Sequence, residues 1–275
     1  MIKARVLETV VYKALSRSGL PDIDYALNPY IGCWHSCIYC YARLYVRNSA
    51  VSKDWGNVIL VKKNVVEVLS REVKHLRLGV VGIGTITDAY QPIEAIYCLT
   101  RESIDVLLKE GFQVSIQTKN PLILRDLDLL EKYRNSVDVG LTITTFNSRV
   151  AEFIEPRAPP PKTRANALYK LSEIGIKTWI FYGPVIPSLN DDDSTIDEII
   201  ELAKDTRSEV LIDRLHIKNF MYKPDHPLNK LISLTKKYEW RNFLTKVMNK
   251  CLKAGVKCME AFTKTYSQRA LEEFI

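Results

Sequence analysis

The sequence predicts an α/β fold, an open and partial parallel βα barrel of about six βα units. Two observations lead there. Short β-branched runs alternate with segments of helical apolar spacing, the pattern of βα repeats around a parallel sheet. Several of those runs end in polar residues, as expected where strand ends gather at one mouth. Six units are fewer than the eight of a closed barrel, so the barrel is expected to stay open.

The first strand falls near Tyr25–Ile31. Further runs follow at Val80–Thr87, Gln113–Thr118, Val137–Thr145, Thr178–Tyr182 and Val210–Ile217. Helical periodicity fills Val61–Leu76, Ile93–Glu110, Leu122–Tyr133, Arg164–Ile174 and Ile196–Lys204, with Leu168, Leu171 and Ile174 at i, i+3 spacing. The proline cluster Pro156 to Pro161 cannot sit inside a helix and reads as a stiff loop. The polar stretch Ser188–Ser194 is a second loop, with Ser194 as cap of a helix beginning near Thr195. A last helix, about Lys236–Lys253, sorts Trp240, Leu244, Val247 and Cys251 onto an apolar stripe and Lys246, Lys250 and Lys253 onto the other face. The expected organisation is a lead-in over 1–22, the partial barrel over 23–235, and a helical extension over 236–275 packed on the barrel.

The chain has 275 residues, 47% hydrophobic and 26% charged, an ordinary composition for a globular protein with a sizeable core. No run of about 18 apolar residues suggests a membrane span, and Met1–Leu20 has no leader pattern, so a cytoplasmic protein with no membrane partner is expected. The net charge of +7 favours an anionic partner such as DNA or RNA. Lys246, Lys250 and Lys253 are candidate phosphate contacts, although a solvated helix face has the same pattern. The linear sequence shows no interleaved patch of aromatic and basic residues.

The most specific signal is Cys33-x3-Cys37-x2-Cys40, three cysteines within eight residues. Crowded thiols in a reducing compartment read as metal binding. Three are one ligand short of a closed tetrahedral zinc site. A [4Fe–4S] cube held by three thiolates keeps one iron open for a substrate or cofactor. His35 would complete a zinc set only with strain, because it lies two residues from both Cys33 and Cys37. A non-catalytic module with a structural or redox-sensing cluster, or a zinc, is the alternative reading. Gly32 lets the backbone turn ahead of Cys33. Tyr39 could pack over a ligand beside the open iron. Cys98, Cys251 and Cys258 are scattered, and the latter two read as small core residues.

The cysteine motif with its aromatic Tyr39 resembles the radical S-adenosylmethionine superfamily. Wider blocks resemble the DNA repair photolyase-like group related to spore photoproduct lyase: Asn28-Pro29-Tyr30-Ile31-Gly32-Cys33, Cys40-Tyr41-Ala42-Arg43, Thr87-Asp88-Ala89-Tyr90-Gln91-Pro92 with Glu94, Thr118-Lys119, Arg125 to Leu130, and Glu155-Pro156-Arg157. The resemblance runs from about Tyr12 to Leu202.

It implies a partial barrel of the radical S-adenosylmethionine type, a [4Fe–4S] cluster on Cys33, Cys37 and Cys40, and S-adenosylmethionine as second cofactor. The chemistry implied is reductive cleavage of that cofactor to a 5′-deoxyadenosyl radical, which takes hydrogen from a substrate. The implied cofactor contacts are Tyr39, Thr87, Asp88, Lys119 and Thr142, with Lys119 facing the carboxylate and Asp88 the ammonium. Tyr41 matches a tyrosine that relays the radical in the lyase. A reducing partner of the flavodoxin or ferredoxin type is also implied. One position departs: Thr85 stands where the lyase has its hydrogen-donating cysteine. Repair of the spore photoproduct by the lyase's route is therefore not expected.

Overall fold

The computed structural model describes residues 4–263. Its strands, in chain order, are β1 (Arg5–Thr9), β2 (Leu15–Arg17), β3 (Tyr25–Leu27), β4 (Tyr30–Ile31), β5 (Val58–Lys62), β6 (Val80–Ile83), β7 (Gln113–Thr118), β8 (Val137–Thr142), β9 (Lys177–Val185), β10 (Glu209–Arg214) and β11 (Cys258–Glu260). Eight of them form one sheet in the order β2-β3-β6-β7-β8-β9-β10-β11. All neighbours run parallel except the β2–β3 pair. The six strands β3 and β6 to β10 are the six expected units. The order is linear, with β2 and β11 at its ends, so the barrel is open as expected. A smaller sheet, β1-β5-β4, lies apart from it.

The wall closes on a core of alternating apolar residues. Leu27, Ile83, Ile116, Leu141, Ile180 and Ile212 come from successive strands and are fully or almost fully buried. Each contributes on the order of 1.5–3 kcal/mol by leaving water. Helices Leu99–Lys109, Pro161–Glu173 and Asp193–Asp205 cover the outside. Pro161 opens its helix at the first turn, where a missing N–H costs nothing.

Several expectations are corrected. The strand foreseen at Tyr25–Ile31 splits at Asn28-Pro29: β3 belongs to the barrel, whereas β4 pairs antiparallel with β5. The helix foreseen from Val61 starts at Val65, because Val61 and Lys62 pair with β1. The helix foreseen over Ile93–Glu110 breaks at Cys98, which takes φ 55°. Glu94 receives the N–H groups of Thr100 at 2.9 Å and Arg101 at 3.3 Å, so its carboxylate serves the start of the second piece. The cap after the polar loop is Asp192, which accepts from Thr195 N at 2.9 Å, and Ser194 is already helical.

The last helix comes in two pieces, Ile232–Lys237 and Trp240–Ala254. Cys251 and Cys258 are both buried, yet they are joined in a disulfide rather than being separate core thiols. Gly255 turns the chain at φ 70° and brings β11 back beside the helix. The lead-in supplies β1 and β2, and the extension supplies β11, so the described part of the extension is not purely helical. The rest of the extension, 264–275, lies outside the described residues.

Candidate active site

The chain leaves the barrel sheet at the C-terminal end of β3, crosses β4 of the small sheet, and enters the cysteine loop directly after Ile31. Gly32 sits there at φ 91°, and a Cβ would lie 2.6 Å from the Val58 carbonyl oxygen. Only glycine makes this turn against the small sheet. Cys33, Cys37 and Cys40 are free thiols lining one cavity of about 390 Å³ at the mouth of the barrel. Tyr39, Thr87, Asp88, Lys119 and Thr142 line the same cavity, so the structure brings the expected cofactor contacts together with the three cysteines.

The loop following β6 holds Cys33 through its neighbours. Thr87 Oγ1 donates to the Gly32 carbonyl at 2.6 Å, and Gln91 Nε2 donates to the same oxygen at 3.1 Å. Gln91 Oε1 accepts the Trp34 N–H at 2.8 Å. Asn28 ties the base of the cysteine loop to that segment, donating to Thr85 Oγ1 and accepting from Ile86 N, both at 3.0 Å. The other half of the loop is held at Ile38. Its N–H donates to Ile154 O at 3.0 Å, and its carbonyl accepts from His226 Nε2 at 3.2 Å. His226 Nδ1 accepts the Leu228 N–H, which puts the ring proton on Nε2.

Asp88 is engaged on every side. Its Oδ1 accepts from Thr118 Oγ1 at 2.7 Å and Tyr90 N at 2.9 Å. Its Oδ2 accepts from Lys119 N at 2.8 Å and lies 3.2 Å from His35 Nδ1. Through these contacts Asp88 joins the strand ends β6 and β7 to the cysteine loop. Burial alone would raise its pKa, but the facing His35 and the donors prevail and hold it at about 2. Burial depresses His35, and Asp88 and Cys33 reverse that, raising it to about 9. His35 is thus a buried partner of Asp88 and not a surface residue.

Below Tyr39 lies a second buried group of charges. The Tyr39 hydroxyl donates to Glu155 Oε1, and Arg164 Nη1 stands 2.5 Å from Glu155 Oε2. Lys119 Nζ lies 3.8 Å from Glu155 and 5.8 Å from the centre of the Tyr39 ring. Arg164 also donates to the carbonyls of Pro159 at 2.7 Å and Thr142 at 3.1 Å. One carboxylate thus faces two cations. Burial pushes the Cys37 thiol well up, and Lys119 pulls against it. Burial likewise raises Cys40 to about 11. Soft donors with a surplus cation beside them suit a metal centre that deprotonates its ligands.

Two further positions line the cavity, Tyr41 at its rim and Thr142 buried in its wall. Tyr41 is 42% exposed and donates its hydroxyl to Thr85 O at 2.9 Å. Thr142 Oγ1 accepts from Gln117 Nε2 at 3.2 Å and donates to no acceptor among the described residues.

Glu155, Arg164, Gln91 and His226 were given no role from sequence. In the sequence, Glu155-Pro156-Arg157 carries a resemblance and no role for its acid. Its acid turns inward to Tyr39, and Arg157 turns outward, bonded to Gly56 O and Asn57 Oδ1 at 2.8 Å each and stacked 5.0 Å from the Trp34 ring. Arg164 carried no signal beyond helical spacing. Cys98 does not line the cavity; it receives an N–H from Arg125 at 3.5 Å. Lys250 lies 2.9 Å from Asp193 and 2.7 Å from Asp197, and Lys246 lies 3.6 Å from Asp193, so two of the three candidate phosphate contacts are already paired.

Comparison with known proteins agrees with this geometry. A family model described as the Radical SAM superfamily matches residues 27–203. An uncharacterized protein of Methanocaldococcus jannaschii is 37% identical over 71% of this chain and 73% of its own length. An uncharacterized protein of Acidianus two-tailed virus is 31% identical over 70% of this chain and 65% of its own length. Among solved structures, a spore photoproduct lyase complexed with dinucleoside spore photoproduct superposes with a TM-score of 0.69 at 14% identity, over 92% of this chain and 81% of that one. A radical SAM methyltransferase from Sphaerobacter thermophilus gives 0.59 at 15% identity, over 88% and 66%. At such identities the superpositions establish a shared fold.

Proposed function

The chain belongs to the Radical SAM superfamily, enzymes that work with a [4Fe–4S] cluster and S-adenosylmethionine, and we propose that Cys33, Cys37 and Cys40 hold that cluster at the barrel mouth. The observation that carries this is the set of three free thiols on one loop, lining one cavity beside Lys119. When bound, the two cofactors supply one-electron cleavage of a sulfur–carbon bond and a 5′-deoxyadenosyl radical that takes a hydrogen atom from substrate.

The chain's own residues bind and orient. Lys119 offers its charge to the cofactor carboxylate, because Glu155 already has Arg164 as its close partner. Thr142 has a hydroxyl proton to give, whereas Thr87 has donated its own to Gly32 and can only accept. Tyr39 packs its ring beside the cofactor, its hydroxyl fixed by Glu155. Asp88 and His35 keep the strand ends and the loop in register. Tyr41 stands at the rim as the candidate relay, its proton already directed to Thr85 O. Thr85 brings no thiol to this mouth, which separates the reaction from the lyase's. An external low-potential donor of the flavodoxin or ferredoxin kind supplies the electron. A nucleic-acid substrate is the reading that the charge of +7 and the dinucleoside-bound lyase of like fold support. No helix among the described residues is long and apolar enough to cross a membrane.

The test is anaerobic incubation of reconstituted protein with S-adenosylmethionine and a strong reductant. Brown protein with about four irons per chain and formation of 5′-deoxyadenosine are expected. Each of Cys33→Ala, Cys37→Ala and Cys40→Ala should abolish both. Colourless protein holding one zinc, or an intact cluster that yields no 5′-deoxyadenosine, would refute the assignment.

A further inference from the structure

We propose that the segment leaving β10 is an anion-binding lip on the mouth, with Arg214 and Lys218 taking a phosphate of a bound nucleotide unit. The inference rests on the reading of this mouth as the active site, and it adds the chemical class of what enters from outside.

After Arg214 the chain runs without helix or strand to Asn219. Arg214, His216 and Lys218 line the cavity together with Asp213 and Leu215, and Leu215 and Ile217 also pack with Ile154, Ile186 and Met221. Neither Arg214 nor Lys218 has an ion-pair partner among the described residues, unlike Lys246 and Lys250. The nearby acid, Asp213, is already 3.1 Å from His216 Nε2. Arg214 and Lys218 outnumber the Asp213 carboxylate beside them, so this edge of the cavity keeps a net positive charge that draws anions.

The rim around them is aromatic. Tyr41 and Tyr45 meet edge to face at 5.8 Å on one side, and Phe181 and Phe262 meet at 6.0 Å on the other. Tyr41, Tyr45 and Phe262 are 42%, 65% and 46% exposed, and all four rings line the cavity. Exposed ring faces beside unpaired cations recognise a base with its phosphate. The inner cation is distinct: Lys119 is shielded and set against Glu155 and the thiols, so it suits the cofactor carboxylate, and the lip is left for substrate.

The experiment is fluorescence anisotropy of a fluorescein-labelled decathymidylate with the reconstituted holoprotein at several salt concentrations. Binding that weakens with salt is expected. Arg214→Ala combined with Lys218→Ala should weaken it at least tenfold and flatten the slope of log K against log salt by about 0.7, the value of one phosphate contact on a single strand. Lys250→Ala, whose charge is already paired, should change neither. Competition by thymidine monophosphate at similar concentration identifies a free nucleotide as the ligand, and competition by oligonucleotide alone identifies a strand. The cluster absorbance of the double variant reports that it is folded. Should it be lost, Arg214→Gln and Lys218→Gln are measured singly, each with weakened binding and an expected slope change no larger than about 0.7. Absent or salt-independent binding by the wild type, or unchanged binding by the folded variants, overturns the lip. Formation of 5′-deoxyadenosine by the wild type is scored separately, so loss of the radical reading and loss of the lip are told apart.

Discussion

Two of the buried charge groups in this barrel are built on opposite plans. Behind the loop that follows β6, Glu94 and Asp126 are buried against Arg125 and Arg101. Arg125 lies 2.7 Å from each acid, and Arg101 lies 3.1 Å from Asp126. Tyr30 donates to Glu94, and Tyr90 donates to Asp126 at 3.0 Å. Two acids meet two guanidiniums, and Asp128 closes on Arg101 at the surface. Beneath Tyr39, one acid, Glu155, meets two cations. A balanced network holds elements together, whereas a surplus charge beside thiols and a cavity waits for something else. The blocks Thr87–Glu94 and Arg125–Leu130, noted in the sequence for their resemblance, therefore divide between scaffold and site.

The largest effect that would sharpen this contrast is expected in the balanced group. Glu94→Gln removes a fully buried charge and leaves Arg125 short of a partner. A loss on the order of 3–5 kcal/mol is expected in denaturant unfolding. The folded fraction should bind S-adenosylmethionine with the affinity of the wild type. Weakened cofactor binding with unchanged stability would break the division between the two groups.

Lys119→Met tests the other side. Its contact with Glu155 is 3.8 Å, and Arg164 remains at 2.5 Å, so folding stability should change by less than about 1 kcal/mol. Affinity for S-adenosylmethionine should fall at least tenfold, about 1.4 kcal/mol, in calorimetry of the reconstituted protein. A Lys119→Arg variant keeps the charge and should recover part of it. A large stability loss with unaltered affinity would make Lys119 a scaffold residue.

How much of this was legible depends on distance along the chain. The cysteine motif and Gly32 are local, and spacing alone identifies them. Six parallel strands follow from alternation, although β4 and β5 did not, because a two-residue strand and a strand run directly into a helix give no period. Glu155 meets Tyr39 across 116 residues, and no pattern within the Glu155-Pro156-Arg157 block announces which way its acid faces. The aromatic and basic rim is absent from the linear sequence for the same reason: Tyr41, Phe181, Arg214 and Phe262 come from four segments that meet only where strands end. The Cys251–Cys258 bridge was missed because helical spacing assigns Cys251 to the core, which is true and still does not exclude a bond across the Gly255 turn.

The smallest expected effect compares one acid at the mouth with one at the barrel's base. Asp88 faces His35 and three donors and is held at about 2, although burial opposes this. Its contribution to stability is present above the unfolded value of about 3.9 and is lost as pH falls through about 2. Asp138, on β8, accepts from Ser115 Oγ at 2.7 Å and from Trp179 Nε1 at 2.7 Å, both on Oδ1 and both neutral. Burial therefore prevails and raises its pKa. The sign is reversed: folding favours the protonated acid, and the benefit is full below the unfolded value and lost as pH rises through the folded one. Asp138→Asn keeps an oxygen for both donors and removes the charge. Thermal unfolding at neutral pH should show no loss, and a gain below about 4 °C, the shift that 1 kcal/mol gives a protein of this size. The dependence of stability on pH just above 4 should flatten in the same variant. A clear loss at neutral pH would mean that the Asp138 charge is held as tightly as that of Asp88, and that the mouth is not special in how it keeps its acids ionised.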